Sequence, residues 1–363
     1  MTKVVCFDLE GPLSPQDNAY EVLGLIDDGH MIFEAISRYD DILTLEKRKG
    51  YEPGDTLSLI VPFLIHHGIT EEDIKKVSDA AKIVDGVKYT IDRLKETDWD
   101  PYIISTSYQQ HALNIAGKIG IAKEKVYCTR LSLDRYVKEL RGLDSPLMEE
   151  AEMDILDGLY PNLDDEKRLK ERLDRFFWKD LSKTGLGKAM KEVRVVGGQR
   201  KLDAACDIAK KTGKRLEEFI VVGDSITDYK MLGGVRDAGG VSVVFNGNEF
   251  CIPYGVIGLA STDMRLLLIL TAAHERTGKA GVIETATEWE KRREEFLQNP
   301  VKIPKEHITE DVRDFLEEKE NDKNFMQPFF HLLEGADENK QEEVLRTHKK
   351  ARSLLRGDAA KLG

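Results

Sequence analysis

Two carboxylates one residue apart, Asp8 and Glu10, end the apolar run Val4-Val5-Cys6-Phe7 and are followed at once by Gly11-Pro12. On a strand tip such spacing puts both side chains on the same side, where one acid can act as nucleophile or metal ligand and the other as proton donor. The pairing suits an anionic or metal-bound substrate; the plainer reading is an acidic strand end that faces water. A second acidic pair, Asp224 and Asp228, follows the run Phe219-Ile220-Val221-Val222-Gly223. If Asp228 begins a helix after that strand, Asp224 and Asp228 can converge on the same pocket as Asp8. Three converging carboxylates repel one another unless a divalent cation lies between them. Hard oxygen ligands suit Mg2+, which keeps several waters and leaves room for a phosphate oxygen. Taken alone, the second pair reads as a helix cap.

Further elements must complete such a pocket. The run 101–107 is an apolar strand pattern that ends in hydroxyls, among them Ser105, which can hydrogen-bond a phosphoryl oxygen. Lys201 opens the helical run 202–211, where an ammonium can offset the charge of nucleophile and phosphate together. A hydroxyl after a strand is ordinarily a turn residue, and a single lysine is ordinarily solvated. The ordered set carries more than its members.

In this order, a nucleophile strand, a Ser/Thr strand, a lysine and a paired-acid loop across residues 4–228, the chain resembles the haloacid dehalogenase superfamily of phosphohydrolases. The strand pattern 241–246 and the turn Thr262-Asp263-Met264-Arg265 resemble its phosphoserine phosphatase branch, where the spelling Asp-Leu-Glu-Gly also occurs. The resemblance implies that Asp8 is the nucleophile and a metal ligand, with Asp224 and Asp228 completing a Mg2+ site. It implies that Glu10 is general acid and then base, its backbone carbonyl also reaching the metal. Ser105 and Lys201 would hold the phosphoryl group. Lys188 and Arg200 rival Lys201, which is preferred because it sits at a predicted helix start one helical unit before the Asp224 strand. For Glu10 to protonate the leaving group, its surroundings must raise its pKa.

The expected fold is α/β, a Rossmann-like parallel sheet core with a helical cap, a helical insertion and a helical C-terminal extension. The core comprises 1–15 and 96–270. The cap spans 16–95, with helices expected over 34–45, 56–67 (kinked at Pro62) and 70–81. Within the core, a strand is expected at 125–129 and a helical insertion over about 137–195, where Leu169, Leu173, Phe176 and Phe177 recur at helical spacing beside Trp178. That stripe reads as packing against the core or a partner. Charge-rich helical patterns at 284–298, 307–321 and 339–355 make up the 271–363 extension and read as solvated faces or a docking surface.

The 363-residue chain can bury a substantial core, and its 41% hydrophobic and 33% charged content fits a folded globular protein. A net charge of −12, from 54 basic and 66 acidic residues, disfavours nucleic acid as a partner. Cys6, Cys128, Cys206 and Cys251 are too scattered for a disulfide framework or a zinc site. The pair His66-His67 reads as structural. The run 266–273 is too short to span a membrane, and with no signal ahead of Asp8 a cytoplasmic location is expected.

A small phosphorylated metabolite is the expected substrate. Phosphoserine phosphatases hold a substrate carboxylate with a cap arginine, but 56–67 has none; Arg38, Arg48 and Arg93 are the alternatives. The whole chain also resembles the archaeal family described as subunit R of energy-converting hydrogenase A. That resemblance implies an accessory protein with a protein partner docked on the insertion or the C-terminal extension. A phosphotransferase is the third reading.

Overall fold

The computed structural model describes residues 2–320, 322 and 325–361. Its strands are β1 (Lys3–Phe7), β2 (Trp99–Tyr108), β3 (Val126–Thr129), β4 (Phe219–Gly223), β5 (Val241–Phe245), β6 (Ile257–Ala260) and β7 (Phe329–Leu332). They form one sheet in the order β3-β2-β1-β4-β5-β6-β7. The first six run parallel, and β7 lies antiparallel to β6. Every residue of β4 and β5 is buried, because helices cover both faces of the sheet; this is why these strands read as continuous apolar runs and not as alternating ones. The chain moves outward in both directions from the adjacent pair β1 and β4. Their carboxyl ends therefore border the crevice where open parallel sheets place their ligands.

Above that crevice stand α1 (Asn18–Leu23), α2 (Gly29–Leu45), α3 (Thr56–Leu59), α4 (Val61–His67) and α5 (Glu71–Ala80). The helical run 56–67 breaks at Ile60, and Pro62 falls in the first turn of α4, where its missing N–H leaves no bond unmade. The next helix, α6 (Val87–Glu96), belongs elsewhere: Val87, Ile91 and Leu94 join Val5, Phe7 and Ile103 in the core beneath the sheet. The span 16–95 thus divides near residue 84.

After α7 (Gln109–Lys118), the insertion provides α8 (Leu133–Leu140), α9 (Ser145–Met153), α10 (Glu166–Arg175) and α11 (Gly185–Glu192). Its apolar stripe finds a partner in the cap. Leu169, Leu173, Phe176 and Phe177 share one buried cluster with Phe33, Ile36, Tyr39 and Phe63 of α2 and α4, and the Phe177 and Tyr39 rings stack at 6.0 Å. Trp178 donates its indole N–H to the Tyr39 hydroxyl (2.7 Å). His67 joins Glu152 across the same boundary at 2.7 Å. Two segments remote in sequence therefore build a single helical cap.

The core continues with α12 (Gln199–Thr212), α13 (Tyr229–Asp237) and α14 (Leu267–Gln298), the last broken by non-helical backbone at Thr277 and Gly278. It ends with α15 (Glu310–Glu318) and α16 (Glu338–Arg356). Besides its helices the C-terminal extension carries one strand, Phe329-Phe330-His331-Leu332, which forms β7 on the sheet edge. A four-residue strand is too short to announce itself by periodicity. All four cysteines are free thiols, and Cys6, Cys128 and Cys251 are buried.

Candidate active site

Asp8 lies one residue beyond β1. Its backbone N–H donates to the Val222 carbonyl of β4 (2.8 Å), which ties the two strand ends together. Asp224 lies one residue beyond β4, and Asp228 follows in the turn before α13. Gly11 closes this corner: its φ is +103°, and a Cβ there would stand 2.3 Å from Asp224 Oδ2. An alanine is excluded on both counts.

The three carboxylates converge. Asp8, Asp224 and Asp228 are buried, each with an oxygen within 4.8 Å of the others. Lys201, in the first turn of α12 and fully buried, places Nζ 2.8 Å from Asp8 Oδ1 and 2.7 Å from Asp228 Oδ1. Asp228 Oδ2 accepts the backbone N–H groups of Asp224 (3.0 Å) and Ser225 (3.2 Å). Asp228 stands at the N-cap of α13 but its side chain makes no capping bond to that helix, bonding instead to the turn that precedes it. Burial pulls the Lys201 ammonium toward its neutral form, but Asp228 and Asp8 outweigh that and hold its pKa above the ordinary value. For Asp8, burial and then the Asp228 carboxylate push its pKa well above the carboxylate range, against the pull of Lys201. Asp224 Oδ1 is buried with no hydrogen-bond partner among the described residues. An orphaned hard oxygen beside two further carboxylates fits a small divalent ion.

Glu10 shares the cavity with Asp8, and its Oε1 accepts the Asn18 N–H (2.9 Å). Burial first, then the Asp17 carboxylate, pushes its pKa up to about 8, the direction its expected role as proton donor requires. Ser105 is placed differently from Asp8 and Glu10. Its Oγ lies 3.0 Å from Ser107 Oγ and accepts the Ser107 N–H (3.1 Å). From the end of β2 the hydroxyl residue that lines the cavity is Thr106, whose buried Oγ1 has no partner among the described residues; Ser37, Thr56, Ser225 and Thr227 line it as well. Lys188 is exposed on α11, and Arg200 pairs with Asp55 of the cap. Of the candidate arginines, Arg38 pairs with Glu166, Arg48 with Asp174 and Arg93 with Asp311, all away from the acid cluster.

Sequence reasoning missed the cations that meet Asp224. Arg352 and Arg356, both from α16, place their Nη1 atoms on Asp224 Oδ2, the first in a short contact and the second at 3.0 Å. Arg352 also donates to the Asp224 carbonyl (3.2 Å), and Arg356 to the Pro15 carbonyl (3.2 Å). A signal existed: the two arginines lie four apart on the helix face that also carries Val344 and His348, both buried. Nothing in the spacing says which acid they meet.

No family model matches the sequence, and no curated protein matches it. Among solved structures, the chain is similar to gene product AF1437 from Archaeoglobus fulgidus, at 27% identity and a TM-score of 0.76, over 100% of this chain and 99% of that one. It is also similar to a phosphoserine phosphatase in apo form, at 16% identity and a TM-score of 0.48, over 74% of this chain and 98% of the other. A substrate-bound phosphoserine phosphatase complex gives 18% identity and a TM-score of 0.48, over 74% and 97% of the two chains. The similarity to the Archaeoglobus fulgidus protein extends over core, cap, insertion and extension alike. The mostly parallel sheet flanked by helices is the α/β architecture expected from the sequence.

Proposed function

We propose that the protein is a Mg2+-dependent phosphohydrolase of the haloacid dehalogenase type, acting on a small phosphorylated metabolite through an aspartyl-phosphate. The carrying observation is the convergence of Asp8, Asp224 and Asp228 around Lys201 at the ends of β1 and β4. Phosphate monoesters hydrolyse so slowly unaided that such an enzyme supplies roughly 20 kcal/mol of transition-state stabilisation. Asp8 Oδ1 is held by Lys201 and by the Leu9 N–H (2.7 Å), which leaves Oδ2 for attack on phosphorus. As that bond forms and the ester P–O bond breaks, Glu10 gives its proton to the leaving alkoxide. Glu10 then takes a proton from the water that attacks phosphorus, releasing phosphate and restoring Asp8. Asp8 and Asp224, with Asp228 beside them, would hold Mg2+, which when bound would supply charge neutralisation for the phosphoryl group. Lys201 neutralises from the protein side, Thr106 or Ser105 offers a hydroxyl to the phosphoryl group, and the cap excludes water.

The test is hydrolysis of p-nitrophenyl phosphate with Mg2+. Asp8→Asn should lower the rate by about 1,000-fold or more while the far-UV circular dichroism stays unchanged. Equal rates in the two proteins would remove Asp8 from the chemistry.

A second reading, an accessory subunit of an energy-converting hydrogenase, draws on the two arginines already bound to Asp224. It predicts no turnover across a phosphometabolite panel and recovery of a protein partner from native membranes. A phosphotransferase would differ in passing the phosphoryl group to a second metabolite and not to water.

A further inference from the structure

The tail arginines have no task in that mechanism, yet their charge governs how the site can be filled. Lys201 serves Asp8 and Asp228, while Arg352 and Arg356 serve Asp224, so each carboxylate of the cluster already meets a cationic group, with Glu10 and Asp17 further along the same cavity. These groups are nearly inaccessible to water: Lys201 and Asp228 are 0% exposed, Asp224 1% and Arg352 3%. A divalent cation entering alone would be set against the two guanidiniums already seated on Asp224, which is unfavourable in a buried place. A divalent cation entering with a phosphoryl dianion leaves the balance unchanged. Arg356 also lines the cavity that holds Asp8 and Glu10, so a dianion there meets its guanidinium.

We propose that Arg352 and Arg356 couple the two ligands, so that this site binds a divalent cation tightly only together with a phosphoryl dianion. The inference rests on the phosphohydrolase reading and deepens it. A rival role is orientation: the arginines hold Asp224 Oδ2 and turn the orphaned Oδ1 toward the cation. Outer partners of that kind change metal affinity by roughly 10–100-fold. The two roles predict opposite signs. Removing an orienting partner weakens cation binding, whereas removing a positive charge strengthens it. A guanidinium and a dication sharing one buried carboxylate repel strongly at this dielectric, so the charge effect prevails.

The experiment uses the full chain with Mn2+ as the probe, following the free-ion electron paramagnetic resonance signal with and without inorganic phosphate. Phosphate should tighten Mn2+ binding by about tenfold or more, and by linkage Mn2+ should tighten phosphate equally. Arg356→Gln keeps a donor for Asp224 but removes the charge; it should bind Mn2+ alone about tenfold tighter, with a smaller gain from phosphate. Arg356→Lys should restore the wild-type pattern. Equal Mn2+ affinity in wild type with and without phosphate overturns the coupling while leaving the metal site standing, and weaker Mn2+ binding in Arg356→Gln assigns orientation instead. If no Mn2+ binds under either condition, the metal-dependent reading fails together with the coupling. Should the glutamine variant not fold, the phosphate dependence of wild type still decides.

Discussion

Two regions close over the strand-end acids, and they are fastened by different physics. The cap loop is tied at its rim: Glu52 Oε1 and Oε2 lie 3.0 and 2.9 Å from Lys230 Nζ, and Asp55 pairs with Arg200. These side chains are 11–29% exposed. The tail is tied in the interior, where Arg352, Arg356 and Asp224 side chains are 3%, 5% and 1% exposed. Ion pairs that water reaches contribute about 0–1 kcal/mol, because hydration replaces most of what is lost. Removing one partner of a buried pair costs about 3–5 kcal/mol, because the other charge is stranded. The rim pairs can exchange for water, although the buried Tyr108 hydroxyl of β2 also donates to the Leu57 carbonyl of the cap. The tail cannot leave unless another cation takes its place at Asp224.

Arg352→Ala attacks the contrast at its strong end. Arg356 remains on Asp224, so the lower end of the range applies, a loss of about 3 kcal/mol in urea unfolding. A loss below about 1 kcal/mol would put the tail pair in the same class as the rim pairs. The next effect concerns His348, fully buried one turn before Arg352, whose Nδ1 accepts the Gly247 N–H (3.0 Å). Burial first, and His331 second, lower its pKa to about 3. The folded state therefore refuses a proton that the unfolded chain accepts near pH 6.5, so stability is present above that pH and is lost as the pH falls toward 3. Between pH 7 and pH 5 the loss from this one group is about 2 kcal/mol. His111 and His274 are also lowered by burial, so the measurement is the difference between wild type and His348→Gln over that interval. An identical acid response in the two proteins would show that His348 is not buried as the neutral form.

The same contrast separates what the sequence discloses from what it hides. The acids at 8, 224 and 228 and the lysine at 201 are legible because each follows from local grammar: an apolar run, then a charge, then a turn or a helix start. Ser105 and Thr106 are not separable in that way, since the register between β2 and β3 shifts between Ile104 and Tyr108 and the alternation of faces is lost there. The stripe at Leu169, Leu173, Phe176 and Phe177 announces a buried face, but its partners Tyr39 and Phe63 lie more than a hundred residues away. Charge on α16 misleads outright. Lys and Glu on a helix signal solvent, and the one mark of the two arginines, their place on the face of Val344 and His348, is outweighed by that charge. Periodicity tells how a segment is sided; it does not tell against what.

The weakest expected effect is the one that most sharpens the comparison. Glu52 accepts Lys230 Nζ and the backbone N–H of Gln199 (2.8 Å), at the start of α12 where an acidic group is favoured by the helix dipole. Glu52→Gln keeps an oxygen for one of these donors and gives up the charge. Water reaches the rim, so global stability should fall by about 1 kcal/mol or less. Amide exchange over residues 52–56 should nevertheless accelerate, because local opening is governed by the few contacts that hold the loop and not by the global free energy. Exchange in α16 should not change, since none of its fastenings involve Glu52. A stability loss above about 2 kcal/mol, or faster exchange in both regions, would mean that cap and tail open as one unit; the distinction between a rim that water can release and a tail that only a cation can release would then be wrong.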